Sequence, residues 1–465
     1  MTNQKEGGIV AVGNRLTRWS QKYMPDPTIF AILLTVLAYI ISLIFTKSTP
    51  ISLLDNWWQG FWTLLTFAMQ MALVVITGGA VAQTRVVSNM IEKIAAKPKN
   101  GKQAAALIAF VAILLSYVHY GLSSTIGAIL AKRIGLKFYK EKKSFSYGLF
   151  GAAAYTGMMT WCCGLSTSVG LTIATPGHFL EDIMGVVPFT DFIFHPLNIS
   201  MAIVLVILMP LFVYLIHPEE NREIAIPQYA IDMFERESKI LSEAGASKAK
   251  DADSNSVGER LNNSRIVGMG LGIVGLVYVI YLLVRDGFGA FNLNSLNGIF
   301  LFLGLILQGN ISNYVKAFAN STSNASGIIF QFPFYAGIMG IIQYSGMVDV
   351  LANGLVAIST PKTFFIMNLL VASIINMFVP SGGGQWAVQG PISMTAAGMM
   401  HADQMITSLT VAFGNSLTNL AQPFWALSVL GITELKAKDM MGYSMTIMLA
   451  GTVIMFGLTA IFSFI

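Results

Sequence analysis

Phe378-Val379-Pro380-Ser381-Gly382-Gly383-Gly384-Gln385-Trp386-Ala387 decides how this chain is read. It lies between two strongly apolar runs, Phe364 to Met377 and Val388 to Met400, of the kind that embed in a membrane. A proline, a serine and three consecutive glycines do not continue a helix. In hydrocarbon a broken backbone persists only where protein buries it or a water-filled cavity satisfies it. The stretch therefore reads as the tip of a hairpin that dips into the membrane to build a binding site.

Composition sets the class. The 465 residues are 54% hydrophobic and only 11% charged, where a soluble domain carries about 25% charge. An all-α polytopic membrane protein follows, with lipid as its surroundings. The net charge of +5 would suit nucleic acid, but the basic residues sit in loops between apolar spans, so no nucleic-acid partner is expected. Cys162 and Cys163 are adjacent, which gives neither a disulfide framework nor metal-ligand spacing. The chain has no phosphate-cradling G-x-x-x-x-G-K-[ST], no H-E-x-x-H and no pair of membrane aspartates. Ser124 or Ser166 with His119 lacks a third group to orient it. No enzyme activity and no cofactor are expected. About 27 polar or mixed residues precede the first apolar span, unlike a secretory signal.

Spans long enough to cross run at about 28–46, 61–84, 198–216, 264–284, 292–310, 326–345 and 441–464. Segments 145–175 and 404–432 are long but interrupted. Segment 104–131 is flanked by Lys97, Lys99 and Lys102 before it and by Lys132, Arg133 and Lys137 after it. Its 28 residues are too few for two crossings, so it reads as a second hairpin, entering and leaving on one face, like 363–400. With 1–27 in the cytoplasm and both hairpins re-entrant, 25 of the 28 Lys and Arg residues lie inside; only Lys47, Arg285 and Lys362 lie outside. The layout is nine crossings and two hairpins, with the C-terminus outside. The halves 28–216 and 292–465 then repeat one order: crossing, crossing, hairpin, broken crossing, crossing. Residues 264–284 link them and invert the second, and 217–262 is a cytoplasmic polar loop in which 227–240 reads as a short surface helix. An inverted repeat with one hairpin and one broken helix per half is the plan of a secondary transporter.

Four polar breaks fall at matching places. The first tip offers His119, Tyr120, Gly121, Ser123 and Ser124; the first broken crossing offers Gly164, Ser166 and Thr167. The second tip offers Ser381, Gly382, Gly383, Gly384, Gln385 and Trp386, and the second broken crossing Asn415, Ser416, Thr418 and Asn419. Helix N-termini with free N–H groups suit a carboxylate. Amide and hydroxyl oxygens beside unwound carbonyls suit Na⁺, with Asn415, Thr418 and Asn419 as ligands. His119, an ionisable group near mid-depth, is the candidate for proton coupling. No Arg or Lys lies at any break, which favours a small monoanion over a di- or tricarboxylate. Glycine and serine also serve ordinary helix contacts in membranes; the matching positions of all four breaks argue against that reading. His178 and His195 read as solvated loop residues.

Three stretches carry a family likeness: Gly13-Asn14-Arg15-Leu16-Thr17-Arg18-Trp19 with Tyr23-Met24-Pro25-Asp26-Pro27, Trp161-Cys162-Cys163-Gly164-Leu165-Ser166, and Pro380 to Trp386. Together they resemble the bacterial short-chain fatty acid transporter family, over essentially the whole chain. More distantly, the layout is similar to the ion-transporter superfamily that includes p-aminobenzoyl-glutamate and dicarboxylate carriers. The resemblance implies uptake of acetoacetate, butyrate or related acids across the inner membrane, by a homodimer with an elevator-type movement coupled to Na⁺ or H⁺. The chain departs from superfamily tips of the Ser-Asn-Thr or Ser-Ser-Ser kind, carrying His119-Tyr120-Gly121 and a triple glycine instead. A C4-dicarboxylate or amino-acid-like anion is the alternative cargo, and a passive channel or a membrane sensor the alternative class.

Overall fold

Apolar runs without charge satisfy their backbone internally, and among the described residues the chain does so with helices alone. A computed structural model describes residues 27–218, 227–244 and 256–464. The cytoplasmic segment expected over 1–27, with its Gly13-to-Pro27 motif, lies outside the described residues except for Pro27. The first half holds α1 (Pro27–Phe45), α2 (Pro50–Phe61), α3 (Leu65–Ala82), α4 (Arg85–Ala95), α5 (Gly101–Val118), α6 (Tyr120–Lys140), α7 (Tyr147–Tyr155), α8 (Ser168–Ile173) and α9 (Pro196–Ile216). Next come α10 (Gln228–Ala244), in the polar loop, and α11 (Arg265–Asp286), the link. The second half holds α12 (Leu293–Gln308), α13 (Ile311–Thr322), α14 (Ser326–Tyr344), α15 (Met347–Ala357), α16 (Phe364–Asn376), α17 (Gly382–Met400), α18 (Gln404–Leu417), α19 (Pro423–Thr433) and α20 (Ala437–Phe464).

Packing follows the repeat. Helix α3 packs on α12, α13 and α6, and its counterpart α14 packs on α1, α2 and α17. Helix α6 packs on α19 where α17 packs on α8, and α9 packs on α20. Two groups result. Helices α1–α3 and α11–α14 form a framework; α5–α9 and α16–α20 form a hairpin unit; the short amphipathic α4 and α15 lie between them. Small residues set the framework crossings, because a side chain there would strike backbone. A Cβ on Gly60 of α2 would meet the Ala336 carbonyl and Gly340 of α14 at 2.6 Å.

Seven helical stretches among the described residues are long and apolar enough to cross a membrane: Thr28–Phe45, Leu65–Ala82, Gly101–Val118, Pro196–Ile216, Val257–Asp286, Ile311–Tyr344 and Ala437–Phe464. At 16 residues α12 is shorter than that threshold, and the interrupted segments break into short helices. Large apolar side chains of α1, α9, α11 and α20 point outward, among them Leu33, Leu215, Val284 and Val453. A surface of this kind is stable against lipid and not against water.

The ends of the bundle differ in charge. At one end Lys137 Nζ donates to the Ala96 carbonyl at 2.8 Å, Tyr139 to Glu235 at 3.1 Å, and Arg236 to Glu434 at 2.6 and 2.7 Å. These contacts join the segments expected inside: 85–103, 132–143, 217–262 and the 434–438 turn. At the other end Thr175 Oγ1 accepts from the Leu293 N–H at 3.4 Å, and Phe189 lies 5.1 Å from Phe291. Those segments belong to the expected outer side. Helix α10 runs further than the 227–240 expectation and buries Phe234 against Tyr139 and Tyr147. His178 is not solvated: it is buried, with Nδ1 accepting from the Leu180 N–H and Nε2 3.0 Å from the Gly185 carbonyl.

Candidate functional site

Each tip is tighter than its sequence implies. Between α5 and α6 a single residue, His119, is extended (φ −163°, ψ 120°). Gly121, Ser123 and Ser124 lie inside α6 and are not unwound. His119 caps that helix, its Nδ1 accepting from the Gly121 N–H at 3.1 Å. Since Nδ1 accepts, the neutral ring carries its proton on Nε2. That Nε2 is buried beside Val74 without a bond of proper geometry. Phe300 of α12 lies 4.3 Å from the ring, and a Cβ on Gly78 of α3 would collide with it. The histidine is thus seated against the framework.

The second tip corrects the starting expectation. Gly382, Gly383 and Gly384 do not break a helix; they begin one, as the first turn of α17, with Ser381 as N-cap accepting from the Gly384 N–H at 3.2 Å. First-turn N–H groups need no carbonyl four residues back, so glycine is tolerated there at little cost. What requires glycine is crowding. A Cβ on Gly382 would meet Trp161 at 2.5 Å and Ser168 Oγ at 2.8 Å; on Gly383, Phe67 at 2.7 Å; on Gly384, Tyr335 at 2.5 Å.

The broken crossings close the site. Gly164 of the first lies so near the tip that a Cβ would collide with the Tyr117 backbone. The Tyr120 N–H donates to Ser166 Oγ at 3.0 Å, and the Leu165 N–H to the Tyr117 carbonyl at 2.7 Å. Trp161 touches Gly382 on one side and lies 5.1 Å from the Tyr120 ring on the other. Tyr120, Ser166, Ser381 and Gly382 therefore come together around Trp161. Thr167 Oγ1, Ser168 Oγ and Trp161 Nε1 are buried there without hydrogen-bond partners. Buried polar atoms are nearly always paired, so such a cluster marks a place for a polar ligand. Trp386 is fully buried behind it, its Nε1 also unpartnered. Gly164→Ala is expected to destabilise the protein by about 1–3 kcal/mol, because backbone cannot yield. Thermal unfolding beside Gly457→Ala, where a Cβ meets open space, checks this.

The second broken crossing makes a buried amide ladder. Asn415 Nδ2 donates to Asn376 Oδ1 at 2.9 Å and to Gln385 Oε1 at 2.7 Å. Asn376 Nδ2 donates to Thr418 Oγ1 at 2.9 Å and to Asn419 Oδ1 at 3.1 Å. From Gln385 the ladder continues through Gln389 and Ser393 to Asn368 and Thr410. Asn415, Thr418 and Asn419 come together around Asn376. Ser416 does not: its hydroxyl turns to Cys162 Sγ at 2.8 Å. Asn415 and Ser416 sit within α18, and only Thr418 to Gln422 leaves α-helical geometry. Tyr155 holds that turn, donating to the Asn419 and Gln422 carbonyls at 2.7 and 2.9 Å. The first half echoes this: Ser123 Oγ bonds the Ala112 carbonyl at 2.7 Å as Gln385 bonds that of Ala372 at 2.8 Å. Among the described residues no Lys, Arg, Asp or Glu is buried. A cavity of about 150 Å³ opens beside the first tip, lined by Tyr120, Gly121 and Ser124 with Asn324 and Ser428.

The fold is similar to that of the YdaH transporter of Alcanivorax borkumensis: TM-score 0.55 at 16% identity, covering 94% of this chain and 98% of that one. A protein of Escherichia coli (strain K12) named for short-chain fatty acid transport is 34% identical over 453 residues, covering 97% of this chain and 99% of its own. One of Haemophilus influenzae with the same name is 34% identical over 445 residues, covering 94% and 96%. The family model for short chain fatty acid transporters matches residues 9–462. With hairpins, broken helices and polar ladder all inside the matched span, the protein belongs to the short-chain fatty acid transporter family.

Proposed function

We propose that the protein is a secondary active transporter. It imports short-chain monocarboxylates such as acetoacetate and butyrate across the bacterial inner membrane, as a homodimer, driven by a cation gradient through an elevator-type movement. The observation that carries this reading is the meeting of the α17 N-terminus with the unpartnered Thr167, Ser168 and Trp161 groups. A carboxylate seated there takes the Gly382 and Gly383 amides and the two hydroxyls. A helix N-terminus contributes about 0.3–2 kcal/mol toward an anion, while desolvating each further charge costs several kcal/mol. With no Lys or Arg buried among the described residues, one carboxylate is held and a second is not. Acetoacetate in excess should therefore suppress labelled butyrate uptake at least tenfold more effectively than succinate. Equal suppression by succinate would reassign the site to dicarboxylates.

The Asn376, Asn415, Thr418 and Asn419 cluster is the seat for the coupling cation. If the Asn376 Nδ2 swings away, the Thr418 Oγ1 and Asn419 Oδ1 oxygens that it now holds together face one space that a cation takes. His119 is the second coupling element. A proton on Nδ1 abolishes the Gly121 contact and uncaps α6, linking protonation to the tip. His119→Gln should then remove the pH dependence of uptake while preserving transport driven by Na⁺. Unaltered pH dependence in that variant would exclude the histidine from coupling. The seam between framework and unit is made of Phe67, Phe300, Phe332 and Tyr335 packed on tips and glycines, a surface suited to sliding. The N-inside orientation rests on the clustering of the basic segments at one end.

A further inference from the structure

Three cavities lie in line between α3, α6, α19 and the turn joining α13 to α14. The first, at the Tyr120–Gly121 tip, shares Gly79, Thr125, Asn324 and Ser428 with a second of about 440 Å³. The second shares Gln83, Ile129 and Ile432 with a third of about 450 Å³, whose wall includes Lys132 and Arg133. Hydroxyl and amide side chains recur along the whole length, and a water needs only about 10–15 Å³ of such space. The row is roomy and polar enough for water, and it leads from the tip to the basic end of the bundle.

The charge at its mouth is arranged by the polar loop. Glu434 follows α19 with a left-handed backbone (φ 55°), uncommon for a residue with a side chain. Its carboxylate lies 3.9 Å from Lys132 Nζ, but both its oxygens are taken by Arg236 of α10, at 2.6 and 2.7 Å. Through its Nη2 the Arg236 guanidinium is the closer cation to that carboxylate, at 2.6 Å against 3.9 Å for Lys132. Helix α10 is itself anchored to the hairpin unit by Phe234 and by Tyr139–Glu235. Resting on the proposed monocarboxylate transport, we infer that this row is the substrate's path to the basic face. Arg133 collects the anion at its mouth, and Arg236 keeps that mouth cationic by holding Glu434.

Charged thiol reagents test the inference without depending on butyrate. Ser428→Cys and, separately, Asn324→Cys are placed in the full chain with both native cysteines changed to alanine, and Ser88→Cys at the exposed mouth serves as control. Each is treated from the basic side with a sulfonate-bearing or a trimethylammonium-bearing methanethiosulfonate. Both inner cysteines should react, and the anionic reagent should be faster on the order of tenfold, the focusing expected of a cleft of one charge. Arg133→Gln and Arg236→Ala should each bring the ratio toward one, and Glu434→Gln should restore it in the Arg236→Ala protein. Reaction at Ser88→Cys alone would refute the path. Equal rates for the two reagents would refute the anion-collecting role, and failure of Glu434→Gln to rescue would refute the part given to Arg236. Loss of butyrate uptake from a preparation that retains the labelling pattern would overturn the substrate reading and leave the path standing.

Discussion

Gly383→Leu is expected to lower butyrate uptake about 100-fold while the protein remains folded. A Cβ at this position already meets Phe67 at 2.7 Å and Phe332 at 3.3 Å. Leucine adds three more carbons to that contact, in the one turn where the tip passes the framework. Overfilling a packed site costs about 1–3 kcal/mol, and each 1.4 kcal/mol placed on the rate-limiting barrier is tenfold in rate. Initial uptake rates set beside thermal stability check this. Normal uptake by Gly383→Leu would show that the tip neither binds nor passes the framework.

Asn376→Leu carries the second large effect. Its amide is the hub between Asn415, Thr418 and Asn419, while its backbone carbonyl, which the substitution leaves in place, accepts from Gln422 Nε2 at 2.6 Å. Leucine fills a similar volume, so packing survives, yet the Thr418 and Asn419 oxygens lose their shared donor. Each buried polar atom left unpaired costs about 1–3 kcal/mol. If this cluster seats the cation, half-maximal uptake should require at least tenfold more Na⁺, or no longer respond to Na⁺ at all. A titration of uptake against Na⁺ measures it. A curve unchanged from the unsubstituted protein would move the cation elsewhere.

How much was legible in the sequence depends on the range of the interaction. Pro380 to Gly384 and His119-Tyr120-Gly121 announce interruptions because helix breakers act locally, and both tips lie where those residues stand. Whether a glycine unwinds a helix or starts one depends on what crowds it, and Trp161, Phe67 and Tyr335 arrive from distant parts of the chain. For that reason the triple glycine reads in the sequence as a break and in the structure begins α17. The ladder was half legible. Asn415, Thr418 and Asn419 stood out beside a break, while Asn368, Asn376, Gln389 and Ser393 went unnoticed inside apolar runs. A signal was present: Gln385, Gln389 and Ser393 recur every four residues, one polar stripe on an otherwise apolar helix. Ser416 follows Asn415 by one residue on α18, which turns its hydroxyl away from the ladder and toward Cys162.

Uptake of labelled butyrate into proteoliposomes, with a Na⁺ gradient and a pH gradient imposed separately, tests the central claim most directly. The account predicts accumulation above equilibrium under at least one gradient. Drive by Na⁺ would point to the Asn376–Asn419 cluster and drive by protons to His119. Equilibration with no accumulation under either gradient would contradict coupled transport and leave a passive path for short-chain acids.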